Sequence, residues 1–177
     1  MKYRLLLILI VFFGSQTKAQ NIEFENFDLR QSIPDWLIFN TEQIKLDKPL
    51  IVTEKLNPFY LESDFNGDNI LDIALCVREK ETKKNGILII HGKTLETFII
   101  GAGNKFAHVG DDFKFLEIWK VYRERTVAIT TFTEDGDILG AEEVPIEIDA
   151  ISVSSSESPS NIIAWKIDKY VWLHTGD

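Results

Sequence analysis

The sequence predicts a mainly β protein, a β-rich α+β fold in which an antiparallel meander follows a short N-terminal helix. From residue 59 onward, short apolar and β-branched runs alternate with clusters of Gly, Asn and Asp, which is the pattern of strands joined by turns. A helix start is indicated only near residue 32. The 177 residues are 45% hydrophobic and include 12 Phe and 4 Trp, which suits the packed core of one domain.

The first 19 residues have the organisation of a secretory signal peptide. Lys2 and Arg4 precede an unbroken apolar run over residues 5–13, which is too short to span a bilayer as a helix. Thr17 and Ala19 then put small residues at the −3 and −1 positions of a cleavage site. We therefore expect a leader over 1–19, one β-rich domain over 20–177, and a periplasmic or secreted protein. With no cysteine near the cleavage point, a lipid anchor is not expected.

The charge of the chain restricts its partners. The formal net charge is −9, and removal of a leader that carries Lys2, Arg4 and Lys18 but no acid brings it to −12. Such a chain repels nucleic acid and anionic membrane surfaces and attracts cations or basic partners. The single cysteine, Cys76, lies in an apolar run and permits no internal disulfide. No second apolar run has the length of a membrane span.

In chain order, the first predicted element is a short helix. Ser32 followed by Pro34 is typical of a helix start with Ser32 as the N-cap, and the helix would continue through Trp36 to Phe39. A strand over 36–39 is the alternative. Residues 40–58 predict only a short strand at 50–52.

Most of the remaining chain is strand-like. Asn85-Gly86 predicts the turn of a charged hairpin connection over 78–86, and residues 152–160 predict a Ser-rich loop. The last two strands form a closing hairpin, and Tyr170, Trp172 and His174 share one face of its second strand, either as core or as a platform for a glycan. The expected strands are 59–63, 72–77, 87–91, 95–100, 113–122, 126–133, 138–139, 144–148, 161–165 and 169–174.

The stretch Asp64–Asp72 indicates a metal-binding turn. Oxygen-bearing side chains occupy positions 1, 3, 5 and 9, the backbone carbonyl of position 7 can add another oxygen, and Gly67 permits a sharp bend. Ca²⁺ takes six to eight oxygens from carboxylates, amides and carbonyls. The turn is not an EF-hand, since its positions 6 and 12 are Asn69 and Leu75. The expected ligands of one structural Ca²⁺ are Asp64, Asn66, Asp68, Ile70 and Asp72. The alternative is a turn whose side chains only cap backbone N–H groups.

This stretch also carries a resemblance. Asp-Phe-Asn-Gly-Asp-x-x-x-Asp, followed by Ile-Ala-Leu and later by Gly-Ile-Leu-Ile-Ile-His-Gly, resembles one FG-GAP or VCBS-type repeat over residues 60–92. That family, the calcium-loop blades of integrin-like β-propellers, implies Ca²⁺ binding by Asp64, Asn66, Asp68 and Asp72. Asn69 stands where the family usually has Gly, and the chain holds one copy only. One blade cannot close a propeller, so a full propeller is not expected.

The Gly-rich segment 101–112 is the second candidate site. It is too long for a hairpin turn, and long irregular loops often carry function. Its His108, Asp111 and Asp112 form the residue set of a general base or a transition-metal site, with a solvated loop as the alternative. No nucleophile elbow, zinc helix or paired-cysteine motif accompanies them.

Together these features favour an exported, non-enzymatic binding module with one structural Ca²⁺ loop. Its partner would be a protein or glycan of unknown identity, bound where the 101–112 loop meets the closing aromatic hairpin. The alternatives are an exported hydrolase that uses His108 with Asp111 or Asp112, and a protein inhibitor or immunity-type partner.

Overall fold

The computed structural model describes residues 22–175. The expected leader, 1–19, lies outside the described residues. Strands make up 44% and helices 10% of the structure, and the sheets of the described part close into neither a barrel nor a propeller. The predicted fold class is therefore confirmed. Among the helices described, none has the length and hydropathy to cross a membrane.

The first sheet of the described residues has six strands and contains the predicted meander, β3-β4-β5-β6. The long strand β4 is its centre, because β2 and β3 pair with successive parts of one edge of β4 while β5 pairs with the other edge. Among the strands that the structure describes, only the short β1–β2 pair is parallel. The strands are β1 (Glu23–Phe24), β2 (Leu50–Val52), β3 (Tyr60–Ser63), β4 (Asp72–Glu79), β5 (Asn85–Ile90) and β6 (Thr97–Gly101).

The second sheet has four antiparallel strands in the order β12-β11-β10-β7. The segment between β7 and β10 forms a separate two-stranded hairpin, β8–β9. The strands are β7 (Ile118–Tyr122), β8 (Thr126–Phe132), β9 (Ile138–Pro145), β10 (Ala150–Ser154), β11 (Asn161–Lys166) and β12 (Lys169–His174).

Two short α-helices lie between β1 and β2 in the described chain. Helix α2 (Asp35–Asn40) confirms the predicted helix, but Pro34 rather than Ser32 is its N-cap. Ser32 instead ends an additional helix, α1 (Phe27–Ser32), and its hydroxyl donates to the carbonyl of Leu29. The N-cap of α1 is Asn26, whose side chain accepts the N–H of Leu29 at 2.8 Å.

Alternation along the central strands builds two cores. On β4, Ala74 and Cys76 face the second sheet, whereas Ile73 and Leu75 face the helices. The continuous apolar runs of β4 and β5 follow from this arrangement, because both faces of the first sheet are covered. A third, smaller cluster joins the outer face of the second sheet to the base of the β8–β9 hairpin through Val127 and Ile146.

Three sequence predictions are wrong in this region. Asn85-Gly86 begins β5 rather than forming a turn, and a Cβ at Gly86 would lie 2.4 Å from the carbonyl oxygen of Ile100. Residues 150–154, assigned in part to a Ser-rich loop, form β10 at the centre of the second sheet. Strand β7 begins only at Ile118, so Phe113 fills the core from a loop.

The β4–β5 turn is held by Glu79, whose carboxylate accepts the N–H groups of Glu81 and Thr82 at 2.9 and 2.5 Å. A hydrogen bond with the Thr82 side chain, followed by these two backbone hydrogen bonds, lowers the pKa of Glu79 to about 2. Because the folded-state pKa lies below the unfolded-state value, Glu79 contributes stability above pH 4.5 and loses it as the pH falls towards 2.

We expect Glu79→Gln to lower the free energy of unfolding by about 2 kcal/mol at pH 7, since it removes hydrogen bonds to a charged group. The difference from the wild type should shrink as the pH falls from 4.5 towards 2, because the unfolded-state carboxylate takes up a proton below 4.5 while the folded one stays charged until about 2. Denaturant unfolding at several pH values measures this difference. Glu81→Gln, the same charge change on the same turn, is the control. A difference that stays constant with pH would contradict the role of Glu79.

Candidate functional site

The acidic loop (residues 64–71) joins β3 to β4 and is fixed to the interior by Phe65. The Phe65 side chain is buried in the core between the two sheets, although polar residues flank it on both sides. Burial of a Phe side chain contributes about 1.5–3 kcal/mol. Next to the loop, the hydroxyl of Ser63 donates to the carboxylate of Asp149, the residue before β10 of the second sheet, at 2.5 Å. The loop therefore stands where the two sheets meet.

Asp72, the first residue of β4, closes the acidic loop through hydrogen bonds of its side chain. Its two carboxylate oxygens accept the N–H of Phe65 and the N–H of Gly92, each at 2.9 Å. The side chain is fully buried, and this burial raises the pKa of Asp72 despite the two hydrogen bonds. Asp72 thus joins the acidic loop to the turn that follows β5. Both of its oxygens already hold a backbone donor.

The remaining side chains of the loop cap its backbone. Asp64 accepts the N–H groups of Gly67, Asp68 and Asn69 at 2.6, 3.2 and 2.8 Å. Asn66 accepts the N–H of Asp68, and Asp68 accepts the N–H of Ile70, each at 2.9 Å. Two residues, Gly67 and Asn69, have positive φ values of 84° and 64°, which Gly and Asn tolerate better than other residues.

This geometry suits Ca²⁺ in part. Asp64 Oδ1 and Asn66 Oδ1 both lie within 3.2 Å of the same nitrogen, that of Asp68, so these two oxygens converge. A carboxylate offers about four acceptor positions, and Asp68 uses one of them. However, the described residues contain no group of three or more His, Cys, Asp or Glu side chains arranged to hold a metal. Metal binding by Asp64, Asn66, Asp68, Ile70 and Asp72 stays a prediction.

Behind the loop lies a buried histidine that the sequence analysis did not single out. His91 Nε2 and the Tyr170 hydroxyl share a hydrogen bond of 2.9 Å, and the ring packs against Phe98 and Trp165 with centroids 4.7 and 5.0 Å apart. Burial lowers the pKa of His91, which favours the neutral ring. Its place at the end of an apolar strand was the available sequence signal. The arrangement joins the two sheets next to Asp72.

A cleft of about 440 Å³ runs beside the acidic loop, between the loop and the second sheet. Asn66 and Gly67 line one side, and Ile146, Trp165 and Lys166 line the other. The loop and the base of the β8–β9 hairpin therefore border the same space.

The 101–112 loop does not bring its histidine and carboxylates together. Asp111 pairs with Lys84 at 2.6 Å, which lowers the pKa of Asp111. Asp112 accepts the N–H of Asn85 at 3.0 Å. His108 lies on an exposed 3₁₀ turn over Ala107–Val109 and makes no hydrogen bond with either carboxylate among the residues described. The loop is thus pinned to the β4–β5 turn by its acids.

The predicted shared face of β12 divides between core and surface. Tyr170 is buried, whereas Trp172 and His174 are half-buried. Trp172 packs at the edge of Phe113 and Phe106, with centroids 6.1 and 6.4 Å apart. This face is therefore largely packed against the 101–112 loop and the residues that follow it.

The β8–β9 hairpin exposes three large apolar side chains at and beside its turn. Phe132, Ile138 and Leu139 are 49%, 74% and 70% exposed. In the described part of the chain, β8 and β9 pair only with each other. The sequence identified β8, but it predicted two strands over 138–139 and 144–148 where the structure has the single strand β9. It did not predict the separation of the hairpin from the two sheets, because strand patterns do not reveal which neighbours a strand has.

The sequence matches no protein-family model and no curated protein, and the structure matches no solved structure. The FG-GAP/VCBS resemblance consequently depends on residues 60–92 alone and stays a prediction.

We expect Gly92→Ala to lower the free energy of unfolding by about 2–3 kcal/mol. A Cβ at this position would lie 2.1 Å from the backbone oxygen of Leu71, so the loop and the Asp72–Gly92 hydrogen bond would have to shift. Denaturant unfolding measures the loss. Lys93→Ala, an exposed neighbour in the same turn, should change stability by less than about 0.5 kcal/mol. Equal effects from both substitutions would disprove the close approach.

Proposed function

We propose that this chain is an exported, non-enzymatic interaction module that binds a basic, extended segment of a protein partner along the β8–β9 hairpin. The exposure of this hairpin is the observation that carries the proposal. Its base is anchored by the buried Val127 and Ile146, while every residue of β9 before Val144 is exposed. An isolated two-stranded hairpin is only marginally stable in water, so a third strand would stabilise it.

The free edge of β9 supports an extended partner. An unpaired strand edge presents a row of N–H and C=O groups, which is the template used in strand addition. Ile138 and Leu139, beside this edge, offer apolar surface for alternate side chains of the partner. Main-chain hydrogen bonds would supply affinity, and these side-chain contacts would supply specificity.

The charge of the hairpin specifies a basic partner. The segment between Arg125 and Lys166 contains no Lys or Arg. Five acids occur on the hairpin and its turn: Glu134, Asp135, Asp137, Glu142 and Glu143. Like charges opposite each other on paired strands are destabilising, so a second copy of this acidic edge is a poor partner. Lys- or Arg-rich segments complement it and would also be attracted over longer distances.

The acidic loop has a structural role in this proposal. Ca²⁺ would be held by Asp64, Asn66 and Asp68, with the Ile70 carbonyl and Asp72 as the further predicted ligands, and it would offset the repulsion between the carboxylates. Because hydrogen bonds already close the turn, the ion adds stability to a formed loop rather than creating one. Its affinity is accordingly expected to be weak, about 10⁻⁴–10⁻³ M.

For the hairpin, we expect a synthetic peptide of alternating Lys and Val to bind the wild type, with an affinity that falls as salt is raised. Glu142→Lys with Glu143→Lys should weaken binding about 10-fold or more, since it replaces two attractive contacts with repulsive ones. Fluorescence anisotropy of the labelled peptide measures both effects.

The matched control for this charge reversal is Glu42→Lys with Glu81→Lys, two exposed acids outside the hairpin, which makes the same net change but leaves the β9 edge intact. Equal weakening by both pairs would contradict docking on β9, because only the net charge would then matter. A concentration-dependent dimer that competes with the peptide would assign the edge to a second copy of the chain.

For the loop, we expect Ca²⁺ to raise the free energy of unfolding by about 1.4 kcal/mol at ten times its dissociation constant. Asp64→Ala with Asp68→Ala should remove this response, whereas Asp135→Ala with Asp137→Ala, an equal loss of charge in the β8–β9 turn, should keep it. Thermal melts and calorimetric titration measure the two responses. The calcium assignment fails if wild type and the Asp64/Asp68 variant respond alike, and peptide binding tests the interaction role separately.

A further inference from the structure

The 101–112 loop and the end of β12 bring two histidines together on the surface. The rings of His108 and His174 lie with their centroids 6.0 Å apart, at an angle of 79°. His108 is exposed on its 3₁₀ turn, and His174 is half-buried on the last strand. The two residues are far apart in sequence, so the tertiary fold alone makes this pair.

Hydrogen bonding fixes the tautomer of His174. Asn161 Nδ2 donates to the carbonyl of Pro159 at 3.2 Å, which orients the amide and makes Asn161 Oδ1 the acceptor for His174 Nδ1 at 2.9 Å. His174 therefore carries its proton on Nδ1 and keeps a lone pair on Nε2. Metal-binding histidines have this arrangement, in which one nitrogen donates to an oriented acceptor and the other binds the ion.

The separation of the rings suits one shared ion. An imidazole nitrogen lies about 1.1 Å from the ring centre and a metal about 2.1 Å from the nitrogen, so one ion can bridge centres up to about 6.4 Å apart when both nitrogens point at it from opposite sides. The observed 6.0 Å is within that limit. Because His108 is exposed, its side chain can rotate without disturbing the core. Such a rotation would reduce the nitrogen–metal–nitrogen angle.

We propose that His108 and His174 form a surface site for a transition-metal cation, with Cu²⁺ as the preferred divalent ion. Imidazole nitrogens suit Cu²⁺, Ni²⁺ and Zn²⁺, and Cu²⁺ binds most strongly in this series. Two imidazoles in a tetragonal arrangement leave the remaining positions to water. This site is separate from the oxygen-rich loop at 64–72 and does not depend on the function proposed above.

Trp172 supplies a reporter next to the site. Its ring lies 6.3 Å from His108, on the same strand face as His174, and its buried Nε1–H has no hydrogen-bond partner among the residues described. A paramagnetic ion held by the two histidines should quench its fluorescence. Trp172→Phe should remove most of this quenching without changing the ligands of the ion.

The test is a Cu²⁺ titration of the protein without a polyhistidine tag, in excess Ca²⁺ to occupy carboxylate sites. We expect saturable quenching and an electron paramagnetic resonance spectrum with two coordinated imidazoles. His108→Gln and His174→Gln should each weaken binding at least about 10-fold and leave one imidazole. Lys105→Gln, an exposed substitution in the same loop, should change neither quantity.

The proposal is overturned if either histidine substitution leaves the affinity and the imidazole count unchanged. It is equally overturned if the wild type shows one imidazole or none. Since His108 is exposed, His108→Gln should fold normally. The number of imidazoles coordinated in this variant therefore distinguishes a shared ion from an ion bound at one ring.

Discussion

The buried carboxylate of Asp72 is the interaction on which the central part of the structure depends. It binds the backbone of the acidic loop at Phe65 and the backbone of the next turn at Gly92, where close contact with Leu71 leaves no room for a side chain. Removing it would leave the buried N–H of Phe65 and the half-buried N–H of Gly92 without these partners. Phe65 and His91, on either side, then carry this local order into the core between the sheets.

The local patterns of the sequence were sufficient for much of the fold. Alternation and turn residues located β4, β5, β8 and the closing hairpin, because strand periodicity is a local property. These patterns failed to predict strands whose formation depends on a neighbouring strand that is distant in sequence. Ser152 belongs to a central strand because β7 and β11 flank it, and Gly86 lies in a strand because the backbone of β6 approaches it closely. Neither neighbour can be inferred from the adjacent residues.

The candidate sites divide in the same way. The acidic loop is continuous in sequence, so its Asp and Asn positions could be identified directly, and its capping hydrogen bonds correspond to the alternative stated for it. The His108–His174 pair is formed by two segments that meet only in the fold. Spacing associated His108 with Asp111 instead, but Lys84 holds that carboxylate.

The absence of basic residues between Arg125 and Lys166 has a further consequence. Exposed hairpin tips are preferred sites of proteolytic nicking. Proteases that cleave after Lys or Arg find no scissile bond within the β8–β9 hairpin. The same composition that would attract a cationic strand therefore also protects the β8–β9 hairpin from trypsin-like enzymes.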